Sequence, residues 1–127
     1  MNEYVLKDDD FLVSQTDSKG IIVFANDDFC KIAGYTIDEL VGKPHNVVRH
    51  PDMPKAAFKD LWDTIKRGNI WSGYVKNATK DNGFYWVFAT VFPKIDSKTN
   101  TTSYISCRRK ASQEEIDEAT KLYKTLN

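Results

Sequence analysis

Arg49-His50-Pro51-Asp52 places a guanidinium, an imidazole and a carboxylate in one short run, a grouping that could be read as acid–base machinery. The plainer reading is a loop in which Asp52 caps the helix that follows and Arg49 packs over it. His45 and His50 raise a second possibility, because one neutral imidazole in an apolar pocket suffices to hold a haem iron. Spacing alone does not separate that role from an ordinary hydrogen-bonded loop histidine. Cys30 and Cys107 stand isolated, with no CxxC or other metal spacing, and read as small buried hydrophobes. The chain carries no GxSxG, P-loop, HExxH or paired Gly-rich dinucleotide motif, so binding and sensing are favoured over catalysis.

These residues need elements to hold them. Val13 to Asp17 and Ile21 to Ala25 are apolar-rich runs joined by Asp17-Ser-Lys-Gly20, which reads as a β-hairpin. Asn26 offers a helix cap, Asp27 and Asp28 suit a first turn, and Gly34 ends a short helix. Thr36-Ile-Asp-Glu39 is a capping box for a second, which Gly42 closes. His45 to Asp52 shows no period and reads as a loop. Pro54 suits the first turn of a longer helix, in which Ala57, Phe58, Leu61, Trp62 and Ile65 recur at helical spacing up to Arg67-Gly68.

Two strands follow, Trp71 to Thr79 and Phe84 to Pro93, around Lys80-Asp-Asn-Gly83, where Asn-Gly signals a hairpin. Ser97 to Thr102 is a polar turn and Ser103 to Arg109 a further strand. Ser112-Gln-Glu-Glu115 is a second capping box, opening a helix with Ile116, Ala119, Leu122, Tyr123 and Leu126 on one side. The economical packing is α+β: a five-stranded antiparallel sheet with its helices grouped on one face and a C-terminal helix. On the strand from Phe84, Tyr85, Val87, Ala89 and Val91 point one way; Trp86, Phe88, Thr90 and Phe92 point the other. Both sets are apolar. The central helices should cover one, and the N-terminal segment, the terminal helix or a second molecule the other.

At 127 residues, 41% hydrophobic and 28% charged, the chain suits one domain with a packed core. Its 18 basic and 18 acidic residues cancel, which leaves no electrostatic footprint for a nucleic-acid backbone. No apolar run reaches the roughly 20 residues that span a bilayer, and Met1 to Asp10 is acidic rather than signal-like, so a cytoplasmic location without membrane insertion is expected.

Asp17-Ser-Lys-Gly-Ile-Ile-Val-Phe-Ala-Asn26, Phe29, Gly34-Tyr35 and Glu39-Leu-Val-Gly42 resemble the N-terminal half of a PAS sensory domain. Trp71-Ser-Gly73, Lys80-Asp-Asn-Gly83 and Tyr85-Trp86 resemble its C-terminal half. More narrowly, Gly42 to Phe58, with Leu61-Trp62 and Trp71 to Asn77, resembles the PAS domain of aerotaxis receptors. The run Arg49-His-Pro-Asp-Met-Pro-Lys-Ala-Ala-Phe58 is long and chemically unusual. The corresponding division is an N-terminal cap segment over residues 1–10, a PAS domain over 11–110 and an amphipathic helix over 111–127.

The resemblance implies non-covalently bound FAD whose redox state is reported to a HAMP domain or chemoreceptor signalling protein, in cis or in trans, with a PAS–PAS homodimer as a further partner. It implies FAD contacts at Asn26, His45, Arg49, His50, Asp52, Trp62, Trp71, Asn77, Tyr85 and Tyr104. The aromatics suit walls for a flat ring, Asn26 and Asn77 its amide-like edge, and Arg49 with His50 a pyrophosphate. Light-driven thiol addition to a flavin lacks a nucleophile, since no cysteine lies in the segments near His50. The expected mechanism is rotation of Asn77 or a neighbour with flavin redox state, carried to the outer sheet face at Trp86, Phe88 and Phe92. A haem-binding gas sensor and a cofactor-free dimerisation module are the alternatives.

Overall fold

The computed structural model describes residues 2–126. Strands β1 (Phe11–Thr16), β2 (Ile22–Ala25), β3 (Trp71–Ala78), β4 (Phe84–Asp96) and β5 (Thr101–Lys110) form one antiparallel sheet in the order β2-β1-β5-β4-β3. Between β2 and β3 come α1 (Asp27–Ala33), α2 (Ile37–Leu40), a one-turn 3-10 helix (His45–Val48) and α3 (Lys55–Lys66); α4 (Gln113–Tyr123) follows β5. The expected α+β architecture is the one adopted.

Local chemistry sets the helix starts. Asn26 Oδ1 accepts from the Phe29 N–H at 3.1 Å and from the Val13 N–H at 3.0 Å, while its Nδ2 donates to the Phe11 carbonyl at 2.8 Å. One side chain thus caps α1 and ties it to β1. Both expected capping boxes form, on α2 through Thr36 and Glu39 and on α4 through Ser112 and Glu115. The expected Asp52 cap on α3 does not. That helix starts after Pro54 without a side-chain cap, because the Asp52 carboxylate reaches across to Lys76 Nζ at 2.7 Å.

Strand β4 is buried on its inner face and at Trp86 on its outer face, where Phe88, Thr90 and Phe92 are half-buried. Tyr85, Val87, Ala89 and Val91 turn inward, sharing a core with Phe29, Leu40 and Ile65. On the outer face α4 supplies the cover. The Tyr123 ring stacks on Trp86 at 6.4 Å between centroids, its hydroxyl donates to the Tyr74 carbonyl at 2.5 Å, and the Tyr74 hydroxyl donates to the Glu115 carboxylate. Ala119 is buried beneath the helix, but Leu122 and Leu126 of the expected apolar stripe are exposed.

Strands β4 and β5 run further than apolar content predicts, pairing Lys94 with Ser103, Ile95 with Thr102 and Asp96 with Thr101. The extension is tolerated by Pro93 because β3 begins only at the Trp71–Val91 pair. Beyond it one side of β4 has no strand neighbour, and a missing N–H there costs no ladder bond. Both sheet edges meet the segment that precedes α3. Gly42 N–H and Ile22 N–H exchange bonds with the Ile22 and Lys43 carbonyls on the β2 side. On the β3 side Arg49 bridges Asn77, and the Lys76 N–H donates to Met53 Sδ at 3.4 Å.

The β3–β4 hairpin places its left-handed residue at Asn82, with φ 69°, rather than at Gly83. Gly83 has another reason to be glycine: a Cβ there would lie 2.5 Å from the Asn2 carbonyl oxygen. Residues 2–4 are laid against the start of β4, where the Tyr4 N–H donates to the Phe84 carbonyl and the Phe84 N–H to the Asn2 carbonyl. Gly83→Ala should therefore detach this segment and leave the sheet intact. Amide exchange at Tyr4 should accelerate by an order of magnitude or more, with unchanged protection at Val87 and Ala89; an unaltered Tyr4 would show that the contact is absent.

Candidate functional site

A cavity of about 510 Å³ lies between α3 and the inner face of the sheet, within the range of ordinary small-molecule sites. Strand parity builds its floor: Ser14 and Thr16 from β1, Val75 and Asn77 from β3, Ala89 and Val91 from β4, and Tyr104, Ser106 and Arg108 from β5. Helix α3 contributes Phe58, Leu61, Trp62 and Ile65, its apolar stripe, while Lys55 and Lys59 stand on its flank. His45 and Asn46 come from the 3-10 turn, and Lys19 and Gly20 from the β1–β2 turn.

The charge of the lining is one-sided. Lys19, Arg49, Lys55, Lys59 and Arg108 line the cavity, and no Asp or Glu among the described residues does. In a chain whose formal charges sum to zero, that segregation gives the cavity a positive bias. The Arg49 guanidinium lies 3.9 Å over the Phe58 ring, which holds it against α3. Trp62 meets Tyr104 edge-on, at 5.6 Å between centroids and 89° between planes.

The deepest polar group is Arg108, which is 2% exposed. Its Nη2 donates to Ser14 Oγ at 2.5 Å and lies 2.6 Å from His45 Nε2, which also lies 3.0 Å from Ser14 Oγ. Burial, and then the Arg108 charge, push the His45 pKa down to about 3, so its ring is neutral at physiological pH and Nε2 serves as an acceptor. Burial lowers the Arg108 pKa only to about 10, and the guanidinium keeps its charge. Arg108 Nη1 is sealed from solvent without a partner. Beside it in the floor, Asn77 is buried and donates from Nδ2 to the Tyr85 hydroxyl at 3.5 Å. Burial raises that hydroxyl to about 12.

Of the residues singled out in the sequence, His45, Arg49, Trp62, Asn77 and Tyr104 meet around this cavity. Asn26, His50, Asp52, Trp71 and Tyr85 lie outside its lining. Asn26 is occupied in capping α1. His50 is buried beyond β3, where its Nδ1 accepts from the Asp52 N–H at 3.0 Å and its ring meets Phe84 edge-on. Its pKa is lowered by burial and by Lys76. Asp52 is exposed, and its carboxyl is held below the usual range by the hydrogen bond from Lys76. Trp71 donates from Nε1 to Asp60 at 2.8 Å, and Tyr85 sits beneath Asn77 in the core. The sequence reading did not single out Arg108, Ser14 or the lysines. Arg108 carried a legible signal, since it shares strand parity with Tyr104 and so points inward.

A neutral, half-buried His45 fixes the sign of a pH effect. Its folded pKa lies below the unfolded 6.5, so the unfolded chain binds the proton first and stability falls as pH falls from 6.5 toward 3. One such proton contributes a slope of up to about 1.4 kcal/mol per pH unit. His45→Gln should flatten the urea-measured stability profile between about pH 6 and 5, above the range in which ordinary carboxylates titrate. His50, also lowered, should supply the residual slope; an unchanged slope would mean that His45 is accessible to protons in the fold.

The description "PAS fold" matches residues 22–108 of this chain. Over 122 residues the chain is 50% identical to the aerotaxis receptor of Escherichia coli K12, covering 96% of this chain and 24% of that protein. It is 25% identical over 100 residues to a nitrogen fixation regulatory protein of Klebsiella oxytoca, covering 79% of this chain and 20% of that protein. The chain thus spans a quarter or less of the length of these relatives. Among solved structures, the light state of the blue-light photoreceptor Aureochrome1 LOV superposes with a TM-score of 0.74 at 24% identity, covering 90% of this chain and 88% of that one. Sequence and fold agree: this chain belongs to the PAS family, as a domain of the aerotaxis-receptor type.

Proposed function

We propose that the cavity binds a flavin as its dinucleotide, FAD, and that the domain is a sensor reporting the redox state of that cofactor to a signalling partner rather than an enzyme. The observation that carries this reading is the cavity lining itself. Aromatic and aliphatic walls suit a flat ring, the Asn77 amide suits the ring's donor–acceptor edge, and a cationic rim free of carboxylates suits a diphosphate. The orphaned Arg108 Nη1 is a further donor awaiting an acceptor. The half-identical aerotaxis receptor supports the same reading.

A bound flavin would supply reversible electron uptake; the protein's part is to hold it and read it. In this proposal Trp62, Phe58 and Tyr104 enclose the ring, while Asn77 and Arg108 meet its polar edge. Arg49, Lys19, Lys55 and Lys59 receive the phosphates. Asn26, His50, Asp52, Trp71 and Tyr85 act through the walls: Asn26 by fixing α1, Tyr85 by holding Asn77, Trp71 by fastening α3 through Asp60, and His50 with Asp52 by shaping the loop that carries Arg49. A change in the ring's protonation would alter what Asn77 bonds to, and β3 would pass the change to Tyr74 and the α4 contacts on the opposite face. A partner responds only if it binds the two states with different free energy. A HAMP domain or a chemoreceptor signalling protein, in cis or in trans on the cytoplasmic side of a membrane, is the proposed reader, with a second PAS domain as an additional contact. Among the described residues no helix is long and apolar enough to cross a membrane.

The haem alternative lacks comparable support, because His45 Nε2 is turned to Arg108 and Ser14 and His50 lies outside the lining. The test is the visible spectrum of the purified protein, reconstituted with FAD if colourless. Flavin bands that bleach under mild reduction are expected; a Soret band, or failure to take up FAD, would overturn the reading. The cationic rim adds a second expectation. Between about 0.01 M and 1 M salt, where the screening length shrinks from about 30 to 3 Å, FAD should lose several-fold in affinity while riboflavin, which has no phosphate, should change little. Equal salt dependence for the two would remove the diphosphate from the rim.

A further inference from the structure

We propose that one end of this domain docks on an anionic lipid bilayer, with the β4–β5 hairpin and the α3–β3 turn as a shallow peripheral contact. The inference is independent of what the cavity holds. Antiparallel pairing assembles the surface. Thr16 pairs with Tyr104 and Tyr104 with Pro93, so the β1–β2 turn and the β4–β5 hairpin leave the sheet at the same end. Trp71 pairs with Val91, which puts the α3–β3 turn at that end too. The hairpin reaches furthest, since Ile95 lies four residues beyond Val91, about 13 Å at strand spacing.

Two features coincide there. Ile70 and Ile95 are 67% and 69% exposed. One lies just ahead of β3 and the other on the part of β4 that runs past it, so neither side chain serves the core. Lys19, Lys66, Arg67, Lys94 and Lys98 stand at the same end, all exposed. None of the five forms an ion pair among the described residues; Lys66 rests its ammonium 5.7 Å from the centre of the Trp62 ring. The carboxylates of these loops are turned back on their own backbone. Asp17 accepts from the N–H groups of Lys19 and Ile21, and Asp96 from that of Lys98. One turn back along α3, Asp63 pairs with Lys59.

The opposite end is acidic. Asp8, Asp9 and Asp10 precede β1, Asp27 and Asp28 open α1, and Asp81 lies in the β3–β4 turn. The Asp28 carboxylate accepts from the Phe11 N–H, which fixes α1 at that end. Of the basic side chains there, Lys80 pairs with Glu39 and Lys110 with Asp8. A chain of zero net charge is thus polarised along its strands, and an anionic surface would draw its hairpin end inward and turn its acidic end away. A lone exposed isoleucine is ordinary. Two of them among five unpaired cations match a bilayer, where anionic headgroups attract each Lys or Arg and the layer beneath accepts apolar side chains. Lysine stems can lie along that layer while their ammonium groups stay in water.

The test is flotation of the purified protein with vesicles of phosphatidylcholine alone and with equimolar phosphatidylcholine and phosphatidylglycerol. Binding to the mixed vesicles is expected at about 0.1 M salt and should be lost at about 1 M, where the screening length falls to about 3 Å. K94Q/K98Q should weaken it at least tenfold, since each cation near an anionic surface is worth roughly fivefold. I70S/I95S should weaken it several-fold. No binding to the mixed vesicles, equal binding to phosphatidylcholine alone, or full binding by K94Q/K98Q would overturn the proposal. Full binding by I70S/I95S would also overturn it, because a surface that needs only its cations suits an acidic protein segment as well as a bilayer. The four substituted residues are exposed and lie outside the cavity lining. Should a variant not fold, the lipid and salt comparisons on the wild-type chain decide the matter alone.

Discussion

A strand with two apolar faces cannot end a structure; it needs cover on both sides, and β4 imposes that requirement on the rest of this domain. Its inward row, Tyr85 to Val91, calls for α1, α2 and α3 above the sheet. Its outward row calls for α4, whose Tyr123 stacks on Trp86 and bonds to Tyr74. The two covers differ in kind. The inner one stands away from the sheet over part of its width and leaves a cavity, whereas the outer one is a single helix in direct contact. The same strand therefore touches the cavity through Ala89 and Val91 and the terminal helix through Trp86. A shift of β4 by a fraction of an ångström would be felt on both faces, since close-packed layers transmit displacement rather than absorb it.

Charge is arranged with equal economy. Acidic and basic residues balance over the whole chain, yet the cavity lining contains only cations among its charged residues. One of the lining cations, Lys59, is paired, with Asp63 along α3. Other carboxylates are engaged away from the cavity: Asp60 accepts from Trp71, Asp52 reaches Lys76, and Glu39 pairs with Lys80. Most of these pairs are exposed, where ion pairing contributes little stability. Their larger effect is to hold negative charge at positions from which it does not enter the cavity.

Most of the fold was legible because its signals are local. Capping boxes at Thr36 and Ser112, the Asn26 cap, the alternation along β4 and the stripe on α3 each depend on residues a few positions apart. The errors fall where the deciding partner is distant in sequence. Asp52 looked like a helix cap until Lys76, far along the chain, claimed its carboxylate. Gly83 looked like a turn residue, but it is constrained by Asn2. The outward turn of Leu122 reflects how α4 lies on the sheet, which its own periodicity does not determine. For the site, the cluster from Arg49 to Asp52 was conspicuous because its members are adjacent. The chain carries only Arg49 of that cluster into the lining. Arg108, alone among ordinary strand residues, offered in the sequence only its shared parity with Tyr104, a signal that acquired a destination once β5 was paired.

The stretch that leaves β2 and leads to α3 touches both rims of the sheet, through Gly42 and Lys43 at β2 and through Arg49 and Met53 at β3. Open rims are where sheets recruit foreign strands and grow into aggregates. With one connecting segment occupying backbone groups on each rim, there is less room for strand addition on either side. Association with other proteins is thereby channelled to the broad faces of the sheet, where side chains rather than bare backbone decide which neighbour is accepted. Selectivity gained in this way dedicates no residue to that purpose alone.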